Sequence, residues 1–294
     1  MSNNVQRVLV AAVGIPLALG VVWYGGLPLA LLVSLVGFLG TRELFDIAER
    51  TGVRPMRTLG LFLAVLAPLA TWMLAYAPTG DVRPPPIPVW FFSQWPLILT
   101  AAPIVVLAAA LWRRSPTERP LAATAVTLFG PLYCSVLPAT LLVLRYSADG
   151  SRSWAATWLV FFPLAVTWLC DSFAMWGGKL FGGPKLAPIV SPGKTRSGAL
   201  SGLVGGVVTA VVFVPLALEP VGRGFPVLTA ALIGLILSIA AQVGDLAESL
   251  LKREVGVKDS SHLIPGHGGV LDRFDSLYFV LPTATLLFRA FGVI

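Results

Sequence analysis

The chain has 294 residues, of which 56% are hydrophobic and only 12% charged, and it carries a net charge of +7. Its mean hydropathy of +0.83 excludes an ordinary soluble domain, which would need a far more polar surface. The surplus of bases suits anionic lipid headgroups or a phosphorylated substrate, and no nucleic-acid partner is expected, because those bases should face a membrane surface.

Apolar runs of about 17–22 residues recur, long enough to cross a hydrocarbon core of roughly 30 Å. They predict spans near 7–24, 27–41, 58–76, 90–112, 121–145, 155–175, 198–218, 226–244 and 276–293. The second is short and can extend into Glu43–Ala48. Helices are expected because backbone groups cannot stay unpaired in lipid and no alternating ten-residue strand pattern occurs. The fold class is therefore all-α: a polytopic integral membrane protein with about nine transmembrane helices. The first run has no A-x-A cleavage pattern and reads as a retained helix rather than a signal peptide.

Lys and Arg set the orientation. One group of loops holds sixteen of them, from Arg7 through the Arg42–Arg57, Arg113–Arg119 and Lys179–Arg196 stretches to Lys252–Arg273, whereas the opposite loops hold Arg83, Arg145, Arg152 and Arg223. The positive-inside rule then places the amino terminus in the cytoplasm and the carboxyl terminus outside. The expected location is a bacterial inner membrane with the polar chemistry on the cytoplasmic face. The proline-rich 83–88 should be an extended outside loop. Residues 1–150 read as plain amino-terminal helices and 151–294 as the catalytic region of one continuous membrane domain. Cys134 and Cys170 fall inside predicted spans, and no CxxC spacing exists.

The chemistry concentrates in Gln242–Asp275, which holds both histidines, His262 and His267, and six of the fourteen acids. Asp245 ends the eighth span. Glu248, Ser249 and Lys252 follow at i+3, i+4 and i+7, so they share its helix face. Asp272 and Asp275 are i and i+3 at the head of the ninth span, where acids suit the helix dipole. Two helix ends presenting carboxylates at one membrane face could hold Mg²⁺, which keeps waters and takes substrate phosphates. They could equally be solvated caps paired with Arg253 and Arg273. The turn Pro265-Gly266-His267-Gly268-Gly269 could cradle phosphate oxygens or be a plain loop.

A second block, Asp171–Gly198, supplies Lys179, Lys185, Lys194, Arg196, Ser191 and Thr195. Asp171 lies within the sixth span. An acid there costs roughly 2.5–3.5 kcal/mol on insertion scales, so a polar cavity is expected around it. The basic loop suits a triphosphate or a lipid surface, and it is not a Walker motif. No G-x-S-x-G elbow, H-E-x-x-H pair or intramembrane histidine pair is present.

Read as Ser249-x-Leu251-Lys252-Arg253, four residues, then Lys258-Asp259-x-Ser261-x-x-Ile264-Pro265-x-His267-Gly268-Gly269-Val270-x-Asp272-Arg273-Phe274-Asp275, the block matches a 27-residue signature at every defined position. It resembles the signature of phosphatidate cytidylyltransferases, also called CDP-diacylglycerol synthases. Asp171, Lys179, Leu186-Ala187-Pro188, Ser191-Pro192-x-Lys194-Thr195 and Gly198 resemble the family's other marked stretch. One departure is Arg196-Ser197, where the family often has an aromatic residue and then an acid or amide. The resemblance implies transfer of a cytidylyl group from CTP to phosphatidate, giving CDP-diacylglycerol and pyrophosphate, with phosphatidate and membrane lipid as partners. It implies Asp245, Asp272, Lys252 and Arg253 as catalytic residues. Asp245 and Asp272, with Asp275, are implied as ligands of Mg²⁺, a second metal ion being allowed. Lys194, Ser191, Thr195, Lys258, His267, Gly268, Gly269 and Arg273 are implied as phosphate contacts, and Asp171 as a supporting acid. A homodimer is left open. The rival readings are a CTP-dependent lipid kinase, which would move the γ-phosphoryl group instead, and an anion transporter, which should carry mid-span charges that are almost absent here.

Overall fold

The computed structural model describes Gly14 and residues 16–76, 95–147, 152–264 and 268–294. Among the described residues, the regular structure is helical apart from one short hairpin and an isolated bridge between Ile264 and Gly268. Its helices are α1 (Gly26–Arg50), α2 (Arg57–Tyr76), α3 (Trp95–Arg113), α4 (Pro120–Tyr146), α5 (Trp154–Phe181) and α6 (Arg196–Val221). After these come α7 (Val227–Glu254), a single turn α8 (Leu271–Phe274) and α9 (Leu277–Ala290). Between α5 and α6 lie β1 (Lys185–Ala187) and β2 (Ser191–Thr195), paired antiparallel.

Six helices among the described residues are long and apolar enough to cross a membrane: α1, α2, α4, α5, α6 and α7. The apolar stretch Thr100–Arg113 of α3 and the 14-residue α9 coincide with two further expected spans but are shorter. Residues 16–24, within the first expected span, are helical. Residues 77–94, with the proline-rich stretch, lie outside the described residues.

The apolar surface is distributed as lipid requires. Leu107, Leu200, Leu228 and Leu286 point outward and are exposed, while Leu29, Leu159, Phe162, Leu237 and Phe288 form a packed interior. With hydrocarbon outside, packing and backbone satisfaction rather than hydrophobicity must hold the helices together. The largest fully buried side chain is Arg145, expected from sequence in an outside loop. Its Nε and Nη2 donate to Val22 O (2.6 Å) and Trp23 O (2.8 Å), carbonyls at the end of the 16–24 helix. A cation there satisfies acceptors that a helix terminus leaves open.

Helices α4 and α6 are each interrupted by a π turn, Leu132–Val136 and Val214–Leu218. Pro138 and Pro215 explain the slip, since proline cannot donate its backbone bond and the ladder must widen locally. The α4 turn directs Tyr133, Cys134 and Ser135 into the interior. Cys134 and Cys170 are both free and buried.

Two features position the site. Helix α7 runs ten residues beyond the expected end of its span, to Glu254, so Asp245, Glu248, Ser249 and Lys252 sit on one rigid rod. Lys252 and Arg253 in its last turn suit the helix dipole. The stretch after α5, expected as a loop, instead folds back as the hairpin, and Thr195 caps α6 by accepting from Gly198 N at 3.1 Å.

Candidate active site

The two polar blocks meet. Lys194, on β2, places its Nζ 2.5 Å from Asp245 Oδ2 on α7. Arg253 Nε donates to Val190 O in the hairpin at 3.2 Å, and its Nη1 to Val257 O at 2.5 Å. One guanidinium thereby ties the hairpin and the loop after α7 to the end of that helix. Ser249 Oγ donates weakly to Asp245 Oδ1 at 3.4 Å.

Deeper in, Lys252 bridges two acids. Its Nζ is 2.6 Å from both Glu248 Oε2 and Asp272 Oδ1. Glu248 is 0% exposed and Lys252 7%. Asp272 Oδ2 also accepts from Ser260 N and Oγ, each at 2.9 Å, and from Gly269 N at 2.8 Å. Burial by itself would raise the Asp272 carboxyl; the Lys252 ammonium and the Gly269 and Ser260 amides outweigh it and hold it below the usual carboxylate range. Lys252, expected among the catalytic residues, thus spends its charge inside the protein as the counter-ion of Asp272.

Asp275 follows one turn later. Its carboxyl is pushed up to about 7, first by removal from water and then by the negative charge of Asp245, with Asp171 adding to it. These three acids therefore lie in one electrostatic neighbourhood with Lys194. Asp171, on α5, is exposed. Among the described residues, no group of three or more His, Cys, Asp or Glu is arranged to enclose a metal ion. The donors still fit a hard cation that takes one or two carboxylates and fills its shell with water and phosphate oxygens. A buried acid whose proton is favoured by neighbouring acids is the kind that a divalent cation converts to a ligand.

The glycine turn has a steric reason. Gly268 has φ +78°, and a Cβ on Gly269 would stand 2.1 Å from Ser260 Oγ and 2.4 Å from Glu43 Oε2. Both glycines are needed where the turn presses onto other site residues. His267 lies outside the described residues. Lys258 and Arg273 are exposed on the same loop system. Ser191 opens β2, half-buried, and Thr195 engages its hydroxyl in the α6 cap. Ser197, at the family's divergent position, donates to Gly182 O and so closes the base of the hairpin.

Sequence reasoning missed Glu43. It belongs to α1, is 4% exposed, and reaches the loop that carries Asp272. An acid inside an otherwise apolar helix was the available signal, but its neighbours Arg42, Asp46 and Glu49 make it read as part of a solvated helix end. A basic pocket of about 600 Å³, lined by Arg54, Arg57, Arg113 and Arg114 among others, shares no residue with the carboxylate site.

Residues 5–291 match the Cytidylyltransferase family. The chain is 44% identical over 165 residues to a phosphatidate cytidylyltransferase of Brucella abortus, covering 56% of each chain. It is 45% identical over 133 residues to that of Bacillus subtilis, covering 45% of this chain and 48% of the relative. A third, from Synechocystis sp., is 30% identical over 299 residues and 94% of each chain. The chain thus spans about half the length of the first two relatives.

Proposed function

Because this chain belongs to the Cytidylyltransferase family, we propose that it transfers the cytidylyl group of CTP to phosphatidate, releasing pyrophosphate. The observation that carries the reading is the junction of the two polar blocks, where Lys194 meets Asp245 beside the Lys252–Asp272 pair. In this reaction a phosphatidate oxygen attacks the α-phosphorus, a P–O bond forms, and the bond to the β-phosphate oxygen breaks with its electron pair leaving on pyrophosphate. The nucleophile is already an anion, so no strong base is required. The obstacle is repulsion between two polyanions, which fixed cations lower.

Lys194, half-exposed on the rigid hairpin, is placed to draw CTP phosphates toward Asp245. Lys258, Arg273, His267 and the amide of Gly268 are the further phosphate contacts of this reading, whereas the Gly269 amide, expected at phosphate, is already given to Asp272 Oδ2. Asp245, Asp272 and Asp275 are the acids of which one or two would hold Mg²⁺ together with phosphate oxygens and water, and the ion would supply charge withdrawal at the phosphorus. Lys252, itself held by Glu248, keeps Asp272 oriented and charged. With purified protein, phosphatidate and CTP labelled in the α-phosphate, the label is expected in the lipid. Label entering lipid only from γ-labelled CTP would replace this reading with lipid-kinase chemistry.

The proposal includes nine spans with the amino terminus and the site facing the cytoplasm of a bacterial inner membrane. The support is the asymmetry of Lys and Arg between alternate loops. Cysteines placed at Arg152 and His262, both exposed, test it. An impermeant thiol reagent should label the first from outside intact cells and the second only after permeabilisation. Labelling of both from outside would overturn the orientation.

A further inference from the structure

Glu43 and the Asp272 loop are more than two hundred residues apart in sequence, yet the carboxylate of α1 is wholly engaged by that loop. Its Oε1 accepts from Ser261 Oγ at 2.6 Å and Val270 N at 3.0 Å. Its Oε2 accepts from Ser260 Oγ at 2.9 Å and Leu271 N at 2.7 Å. Both oxygens are acceptors, and all four donors belong to the segment bearing Asp272. The Ser260 hydroxyl is also 2.9 Å from Asp272 Oδ2, so its single proton is shared between the two acids. Gly269, whose Cβ would collide with Glu43 Oε2, leaves the space that this carboxylate fills.

We propose that Glu43 is a positioning residue for nucleotidyl transfer: from α1 it clamps Ser260, Ser261, Val270 and Leu271 and thereby fixes where Asp272 presents its carboxylate. This rests on the reading above that Asp272 belongs to the active site. The clamp stands apart from the substrate, since Glu43 is buried and its oxygens are used internally. It gives the otherwise plain amino-terminal half a direct role in the chemistry. A buried acid in an apolar helix is costly, and four well-placed donors are what make it tolerable.

Glu43→Gln keeps the size but turns one acceptor oxygen into an amide donor, facing either Ser261 and Val270 or Ser260 and Leu271. One side of the clamp must open. In the purified full-length chain, kcat is expected to fall at least about tenfold, as misplacement of a reacting group by about 1 Å does, with KM for CTP changed less than about threefold. Hydrogen exchange should quicken in peptides covering 260–275 and stay unchanged in those covering α5 and α6. Ser261→Ala, which removes one donor only, should show a smaller change in the same direction. Placed on Asp272→Asn, Glu43→Gln should cost little more, because groups acting as a unit are non-additive. Unchanged turnover and exchange in Glu43→Gln beside an inactive Asp272→Asn would overturn the positioning role alone. A fully active Asp272→Asn would overturn the site assignment and this role with it. A Glu43→Gln chain that loses protection uniformly would show a purely structural acid and refute the proposal.

Discussion

Asp245→Asn is expected to lower turnover at least about a hundredfold, the scale of losing a principal electrostatic contribution to the transition state, while barely changing stability. The two effects separate for a physical reason. Asp245 and Lys194 are 28–29% exposed at their side chains, and an ion pair open to water contributes only about 0–1 kcal/mol to folding. Asparagine keeps the shape and can still accept from Lys194, so the helix and hairpin should stay docked. What disappears is a hard anionic oxygen beside Asp275 and the charge that orients Lys194. The measurement is the initial rate with phosphatidate, CTP and Mg²⁺, alongside an unfolding midpoint in the same detergent. A variant with near-normal turnover would remove Asp245 from the site; one that loses rate and midpoint together would mark it as structural.

Lys252→Met should act on both quantities at once. Lys252 sits between Glu248, fully buried, and Asp272, whose side chain is 6% exposed. Removing one partner of a buried charge network leaves the others uncompensated, at a cost of about 3–5 kcal/mol. Glu248 Oε1 has no hydrogen-bond partner among the described residues, so no alternative donor waits to take over. Unfolding should therefore shift strongly, and activity should collapse because Asp272 loses the cation that holds it in place. Adding Glu248→Gln removes the stranded charge and should restore part of the stability without restoring the rate. An unchanged midpoint in Lys252→Met would contradict the buried network, and recovered activity in the double variant would show that Lys252 has no part in presenting Asp272.

The sequence by itself determined the class of molecule and the address of its chemistry. Hydrocarbon imposes a minimum length on each apolar run and forbids unpaired backbone. The runs that became α1, α2, α4, α5, α6 and α7 were therefore readable from composition alone, with boundaries moved outward, furthest in α1 and α7, where polar helix ends emerge. The face shared by Asp245, Glu248, Ser249 and Lys252 followed from helical spacing, and the motif spacing carried the family. Only the tertiary structure decided which charges answer one another. Lys252 looked like a catalytic cation because a motif shows residue type and position but not direction, and packing turned it inward between two acids. The Arg253 guanidinium became a staple, and the basic loop became a hairpin that Arg253 and Asp245 tie to α7. Arg145 was buried because it meets carbonyls from a segment more than a hundred residues earlier. The role of Glu43 was hidden for the same reason: its four donors come from the far end of the chain. Hydropathy and helical periodicity report neighbours within a turn or two, whereas a charge network is assembled by contacts that no window along the sequence contains.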